Sequence, residues 1–216
     1  MNDYYPFINT PLPYAYDALE PYIDQKTMYL HHDRHLQTYI DNLNAILKEH
    51  PDLQAWSLKE FLYRWPDLPP SLQIPIRNQA GGVFNHRFFF EELAPPEESF
   101  IDLDIVTEIE KSFTDFNDFL DQLRQAASSV FGSGYAWLVI KQGKLQITTT
   151  ANQNTPIDEN MTPILNLDVW EHAYYLKHYN LRSPYFDDWL HVIRWDILKQ
   201  RFHEAASSKA ENKKST

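Results

Sequence analysis

The chain has no cysteine in its 216 residues. That excludes disulfides, thiolate metal ligands and cysteine nucleophiles, and a cytoplasmic setting is the matching expectation. Positive charge is scarce: 19 Lys and Arg against 30 Asp and Glu leave a net charge of −11. Nucleic acid is excluded as a partner, because its binding is dominated by cationic contacts to phosphate. No stretch approaches the roughly 20 apolar residues that cross a bilayer, so no membrane partner is expected. The opening Met1-Asn2-Asp3-Tyr4-Tyr5-Pro6 has neither the basic region nor the apolar run of a secretory signal, and no internal repeat is visible. What the chain has in quantity is apolar surface. It is 43% hydrophobic and 15% aromatic, at a length that buries a substantial core in one large or two small domains.

The most informative stretch is Asp168-Val169-Trp170-Glu171-His172-Ala173-Tyr174-Tyr175. Asp168 and His172 are four apart, so on a helix or at its first turn they project to one side. A carboxylate beside an imidazole is half of a metal site or one arm of an acid–base pair. Trp170, Tyr174 and Tyr175 would surround the pair with an apolar wall. Taken alone, the stretch is equally an amphipathic helix with one satisfied core histidine. A second segment, His31-His32-Asp33-Arg34-His35-Leu36-Gln37-Thr38-Tyr39, places His31, His35 and Tyr39 at successive four-residue steps along one helix flank. A third histidine, His86, follows Asn85 inside the apolar run Gly82-Val83-Phe84-Asn85-His86-Arg87-Phe88-Phe89-Phe90. A histidine so flanked is expected to be buried and in need of a partner, of which a metal is one.

Together, His31, His86, Asp168 and His172 form a three-histidine, one-aspartate set over three segments, and with it the chain resembles the iron/manganese superoxide dismutase family. The resemblance runs from Leu12-Pro13-Tyr14 to about Trp195. It also rests on the His31 to Tyr39 segment, Gly81-Gly82 before Asn85-His86, Gly132-Ser133-Gly134, Leu145-Gln146-Ile147-Thr148-Thr149-Thr150 and Ala151-Asn152-Gln153. It implies a superoxide dismutase that converts two superoxide anions to dioxygen and hydrogen peroxide by Mn(III)/Mn(II) cycling. One ion per subunit would be bound by His31, His86, Asp168 and His172. Imidazole and carboxylate donors suit such a first-row metal.

The resemblance also implies roles around the metal. Tyr39 and Gln153 would carry the proton path, the amide tuning the metal through its hydrogen bonds. Without the resemblance, Gln153 would read as a loop residue. His35 and Tyr175 would extend the network across a homodimer interface, and Glu171 would reach His172 of the partner subunit. A tetramer is the larger assembly considered. Trp137, Tyr135 and Asn85 would stand around the pocket, and without the resemblance Trp137 and Tyr135 read as core strand residues. Substrate is an anion and the chain is acidic, so local positive charge is needed at the mouth; Arg34, Arg87, Lys177 and Arg182 flank the ligands in sequence. The ordinary reading of each is a solvated surface charge. In iron-type members the amide comes from four residues before the second-helix histidine, where this chain has Gly82. In manganese-type members it comes from the position of Gln153. Manganese is therefore favoured, with an iron-loaded or cambialistic enzyme as the alternative. A non-haem iron oxygenase is disfavoured by the third histidine, and a family member that has lost turnover by the presence of all four ligands and the Tyr39–Gln153 pair. The chain departs from the family pattern at Leu36, Val83, Phe90 and Tyr135, of which Phe90 and Tyr135 change the pocket lining.

For the fold, the pattern is α+β: an N-terminal antiparallel helical hairpin followed by an α/β domain with a small three-stranded antiparallel sheet. An extended arm at 1–20 leads to helices at 22–48, 57–63 and 76–93, with prolines 66, 69, 70 and 75 breaking the chain between the last two. The stretch 94–98, Ala-Pro-Pro-Glu-Glu, is the linker between domains at 1–94 and 98–204. Helices are expected at 101–109, 113–127, 171–179 and 189–201, strands at 135–140, 144–150 and 164–168, and a disordered polar tail at 205–216.

Overall fold

A computed structural model describes residues 2–212, and the side chains of residues 2–207. The fold is α+β: a helical hairpin, then a half built on a three-stranded antiparallel sheet. The first long helical segment is α1 (Gln25–Leu30), a π-helical turn (His31–Leu36) and α2 (Gln37–Lys48). It starts where Asp24 accepts a hydrogen bond from the Thr27 N–H, satisfying a free donor of the first turn. The π turn lies on the residues that carry His31 and His35, and such insertions concentrate at functional sites.

Helix α3 (Leu58–Arg64) opens with a reciprocal cap. The Ser57 hydroxyl accepts from the Glu60 N–H, and the Glu60 carboxylate accepts from the Ser57 N–H. Helix α4 spans Pro70–Glu91, six residues earlier than the sequence pattern suggests. The prolines do not break it. Pro70 is its first residue, where no N–H partner is required, and Pro75 removes one bond near the start of a long helix whose buried face, Ile76, Ala80, Val83 and His86, holds the rest in place. α4 packs on α2, α3 and the last strand, so it is the shared wall of both halves.

Helices α5 (Leu103–Glu110) and α6 (Phe116–Ser129) lead to strands β1 (Gly134–Lys141), β2 (Lys144–Ala151) and β3 (Thr162–Asp168), ordered β2-β1-β3. The β1–β2 turn has positive φ at Gln142 (52°) and Gly143 (85°), the conformation that suits a tight hairpin. β1 is central and buried along nearly its whole length. Its Ala136, Leu138 and Ile140 join the main core, which α6 closes. Tyr135, Trp137 and Val139 face the other way and form a second cluster with Met161, against Phe84, Phe88 and Trp170. On β3, Asp168 stands opposite Tyr135, and Asn166 opposite Trp137.

Helices α7 (Glu171–His178), α8 (Arg182–Trp189) and α9 (Trp195–Asn212) complete the chain. Two expectations are corrected here. α8 is a separate helix that precedes the expected 189–201 helix. α9 continues to Asn212 through a stretch expected to be disordered from 205, because Ala, Lys and Glu are good helix formers and Ala205 still packs at 8% exposure. The expected tail at 213–216 lies outside the described residues. The two halves are stitched behind the hairpin, where Leu93 bridges to Ile193 and the Ala94 N–H donates to the Val192 carbonyl. Ser57→Ala removes the reciprocal cap of α3 and should cost about 1 kcal/mol in urea unfolding, with metal content unchanged.

Candidate metal centre

Four elements each contribute one side chain to a single point. His31 opens the π turn after α1, His86 lies inside α4, Asp168 ends β3 and His172 is the second residue of α7. Asp168 and His172 are not on one helix, as the four-residue spacing suggested. Strand β3 ends at Asp168, and extended Trp170 turns the chain into α7, so the two meet across a strand–helix junction. The Trp170 N–H donates to Asp168 Oδ1 at 2.8 Å, which leaves Oδ2 facing inward.

The four candidate ligand atoms lie within 4.8 Å of one another. His31 is 1% exposed, His86 and Asp168 are fully buried, and the His172 side chain is 11% exposed. Oδ2 of Asp168 is 3.3 Å from His31 Nε2 and 3.4 Å from His172 Nε2. Yet among the described residues His31 Nε2, His86 Nε2, His172 Nε2 and Asp168 Oδ2 have no hydrogen-bond partner. Four buried polar atoms left unpaired at one point would be costly without an ion between them. The tautomer fits too: His86 Nδ1 lies 2.7 Å from the Gly82 carbonyl, so that nitrogen carries the proton and Nε2 presents its lone pair inward. Three imidazoles and one carboxylate are a donor set for a divalent or trivalent first-row metal.

The predicted surroundings come together. Buried Gln153 follows Asn152, whose φ of 53° turns the loop after β2 inward. Gln153 donates to the Tyr39 hydroxyl at 3.1 Å and accepts from Tyr135 Oη at 3.1 Å and Asn85 Nδ2 at 3.0 Å. The Tyr39 ring lies 5.2 Å from that of His86. It also fills the space over Gly82, where any Cβ would collide with it, so a longer side chain cannot stand there beside this Tyr39. Trp137 packs on Tyr135 and its indole donates to Thr150, so the strand residue both lines the pocket and fills core. His35 stacks on His172 with ring centroids 4.1 Å apart, and Trp170 stacks on the same imidazole at 5.4 Å. Phe90 stands edge-on to His31 at 4.9 Å and reaches His32 and Phe89 as well. Glu171 and Tyr175 are exposed, beyond this buried set.

Of the four expected mouth cations, Arg34 is exposed and hydrogen-bonded to the Tyr29 hydroxyl, and Arg182 binds the Val130 and Gly132 carbonyls and the Tyr174 hydroxyl. The other two, like Arg182, hold backbone carbonyls. Buried Arg87 clamps the N-terminal segment through the Asn2 and Ile8 carbonyls, and Lys177 pairs with Asp188 while holding the Pro21 and Tyr22 carbonyls. Two buried polar residues not singled out from sequence, Glu92 and Asn166, sit behind the cluster. The only sequence signals were an acid at the end of an apolar helix and an amide inside an apolar strand.

Burial pushes His31 down to about 4 and His86 well below the usual imidazole value. Burial also lowers His35 to about 4, with His172 adding to it. For Asp168 burial acts upward, but His172 and His31 outweigh it and hold the carboxyl below its ordinary range. Burial raises Tyr39, and it keeps Tyr135 protonated far above neutral pH. For the histidines, the folded pKa lies below the unfolded one. Their stabilisation is complete above about pH 6.5 and is lost as pH falls from there toward 4. The metal-free chain should therefore be less stable to urea at pH 5 than at pH 7, with His31 and His86 each contributing up to about 1.4 kcal/mol per pH unit. Equal stability at the two pH values would contradict the buried, neutral imidazoles.

Residues 6–94 match the family described as iron/manganese superoxide dismutases, alpha-hairpin domain, and residues 102–201 match its C-terminal domain. The chain is also 45% identical over 198 residues to "Superoxide dismutase [Mn] 1" of Leptolyngbya boryana, covering 90% of this chain and 80% of that protein. Those two matched regions meet where His31 and His86 face Asp168 and His172, and the chain belongs to the iron/manganese superoxide dismutase family.

Proposed function

We propose that His31, His86, Asp168 and His172 hold one manganese ion per chain, with which the protein dismutates superoxide to dioxygen and hydrogen peroxide. The observation that carries this reading is the convergence of four buried, unpartnered ligand atoms on one point. When bound, the metal supplies one-electron exchange with superoxide in both directions. The source of the amide favours manganese over iron: Gln153 reaches the centre from the loop after β2, and Tyr39 occupies the space over Gly82. The relative from Leptolyngbya boryana, named as a manganese enzyme, agrees with that choice. Ligand type alone does not make it, since such donors do not favour manganese over iron by affinity.

The protein's own groups manage protons and access. Gln153 both donates and accepts, and Tyr39, Tyr135 and Asn85 fix its orientation, so its amide can hold a proton donor or acceptor beside the metal. Tyr39 is half-buried, stays protonated at neutral pH and links Gln153 outward. Arg34 and Arg182 supply local positive charge against a net charge of −11. The homodimer contact in this reading is the exposed face of α7, with Glu171, Tyr175 and Leu176, continued by exposed Tyr179 just beyond the helix; the support is their exposure. Tyr175 on this face and His35 on the π turn, stacked on His172, extend the network toward the partner, whose own site lies beside Glu171 in this reading.

His172→Ala should lose most bound metal and all activity. Gln153→Ala should keep metal but turn over roughly tenfold or more slowly per bound ion. Metal analysis and superoxide turnover on the same preparations check both; full wild-type turnover in Gln153→Ala would remove the amide from the proton path. Reconstitution with each metal tests the cofactor, and activity with iron alone would overturn manganese.

A further inference from the structure

Glu92 is a fully buried carboxylate that the redox chemistry does not use. It caps the C-terminus of α4, six residues beyond His86. Its Oε1 and Oε2 accept from the Asn166 N–H of β3 at 3.1 and 3.2 Å, two residues before Asp168. Oε2 also accepts from Arg201 of α9 at 2.8 Å. The same guanidinium donates to the Ile164 carbonyl on β3 and the Phe88 carbonyl on α4, each at 3.1 Å, pairs with Glu91 and lies 3.4 Å over the Phe88 ring. With all these donors placed the pair is satisfied, and removal of Arg201 would leave the Glu92 carboxylate buried without its cation.

The network continues toward the metal centre. The Asn166 side-chain amide donates to the Asn85 carbonyl at 3.2 Å, and the Asn85 amide donates to Gln153 at 3.0 Å. Asn85 belongs to α4, which carries His86 and which Glu92 caps; Asn166 belongs to β3, which carries Asp168. One carboxylate thus ties together the two elements that bring half of the ligands from either matched region of the chain.

We propose that Glu92, held by Arg201, is a positioning residue that sets the register of β3 against α4, and through Asn166 and Asn85 the orientation of Gln153. This rests on the reading that His86 and Asp168 share one metal. A residue that only stabilises would leave the centre unchanged once the chain has folded. One that positions alters the ligand geometry and the amide in the folded, loaded protein.

The test uses full-length Glu92→Gln, which keeps volume but turns an amide donor toward Arg201, and Arg201→Lys, a milder change that keeps the charge and loses the fork. Leu198→Ala, in the buried face of α9, is the control for stability loss alone. Manganese per chain, the visible absorption of the oxidised protein, kcat, KM and the thermal midpoint are read on each. Positioning predicts a shifted absorption band and a roughly tenfold fall in kcat per bound manganese for Glu92→Gln, and a smaller change of the same kind for Arg201→Lys. Leu198→Ala should lower only the thermal midpoint. If Glu92→Gln does not fold, Arg201→Lys decides by the same readouts. Variants with wild-type band, kcat and KM and only a lower midpoint would overturn the proposal. A wild-type chain that binds no metal would overturn the metal reading itself, and is recognised before any variant is compared.

Discussion

Three imidazole nitrogens and one carboxylate oxygen face each other in the interior with no hydrogen-bond partner among the described residues, and the rest of the structure is arranged around that fact. Unpaired polar atoms in such a place are destabilising unless a cation joins them. Neutral imidazoles and an ionised carboxylate are the protonation states a metal requires; burial holds His31 and His86 neutral, and the contacts of Asp168 with His172 and His31 keep its carboxyl ionised against burial. The apolar neighbours Phe89, Phe90 and Trp170 close the surroundings, so every polar group that remains inside carries more weight.

That constraint explains the position of the centre. A hairpin helix, a second helix, a strand end and the start of another helix supply one atom each, so no single element forms the site by folding alone. The long helix α4 serves both halves: one end reaches the hairpin and the other is locked to β3 and α9 by Glu92 and Arg201. The amide of Gln153 enters from a loop and is held by Tyr39, Tyr135 and Asn85, which come from α2, β1 and α4. The orientation of one side chain therefore depends on how three elements are packed.

The resemblance to the family, not their spacing, joined His31, His86, Asp168 and His172 into one ligand set, although one by one they were legible as histidines and an acid in apolar surroundings. The hairpin turn at Gln142-Gly143 and the alternation of β1 were legible for the same kind of local reason. The start of α4 was not, because proline marks a helix start as readily as a break, and only the buried face of the helix decides between them. The junction after Asp168 was not, because a four-residue spacing reads as one helix although a strand–helix turn can bring the same residues together. Arg87 shows the limit most plainly. Next to a ligand in sequence it reads as a mouth cation, yet its guanidinium points away and ties down the N-terminal segment. Glu92 and Asn166 were invisible because their partners are distant in the chain: the Arg201 bond spans 109 residues and the Asn166 bond 74.

The central claim is that these four atoms hold one metal ion. Anomalous X-ray diffraction from crystals of the manganese-loaded protein, measured on either side of the manganese absorption edge, tests it most directly. One peak per chain, enclosed by His31 Nε2, His86 Nε2, His172 Nε2 and Asp168 Oδ2, is the predicted result. No peak at that point, or a peak held by other side chains, would contradict it.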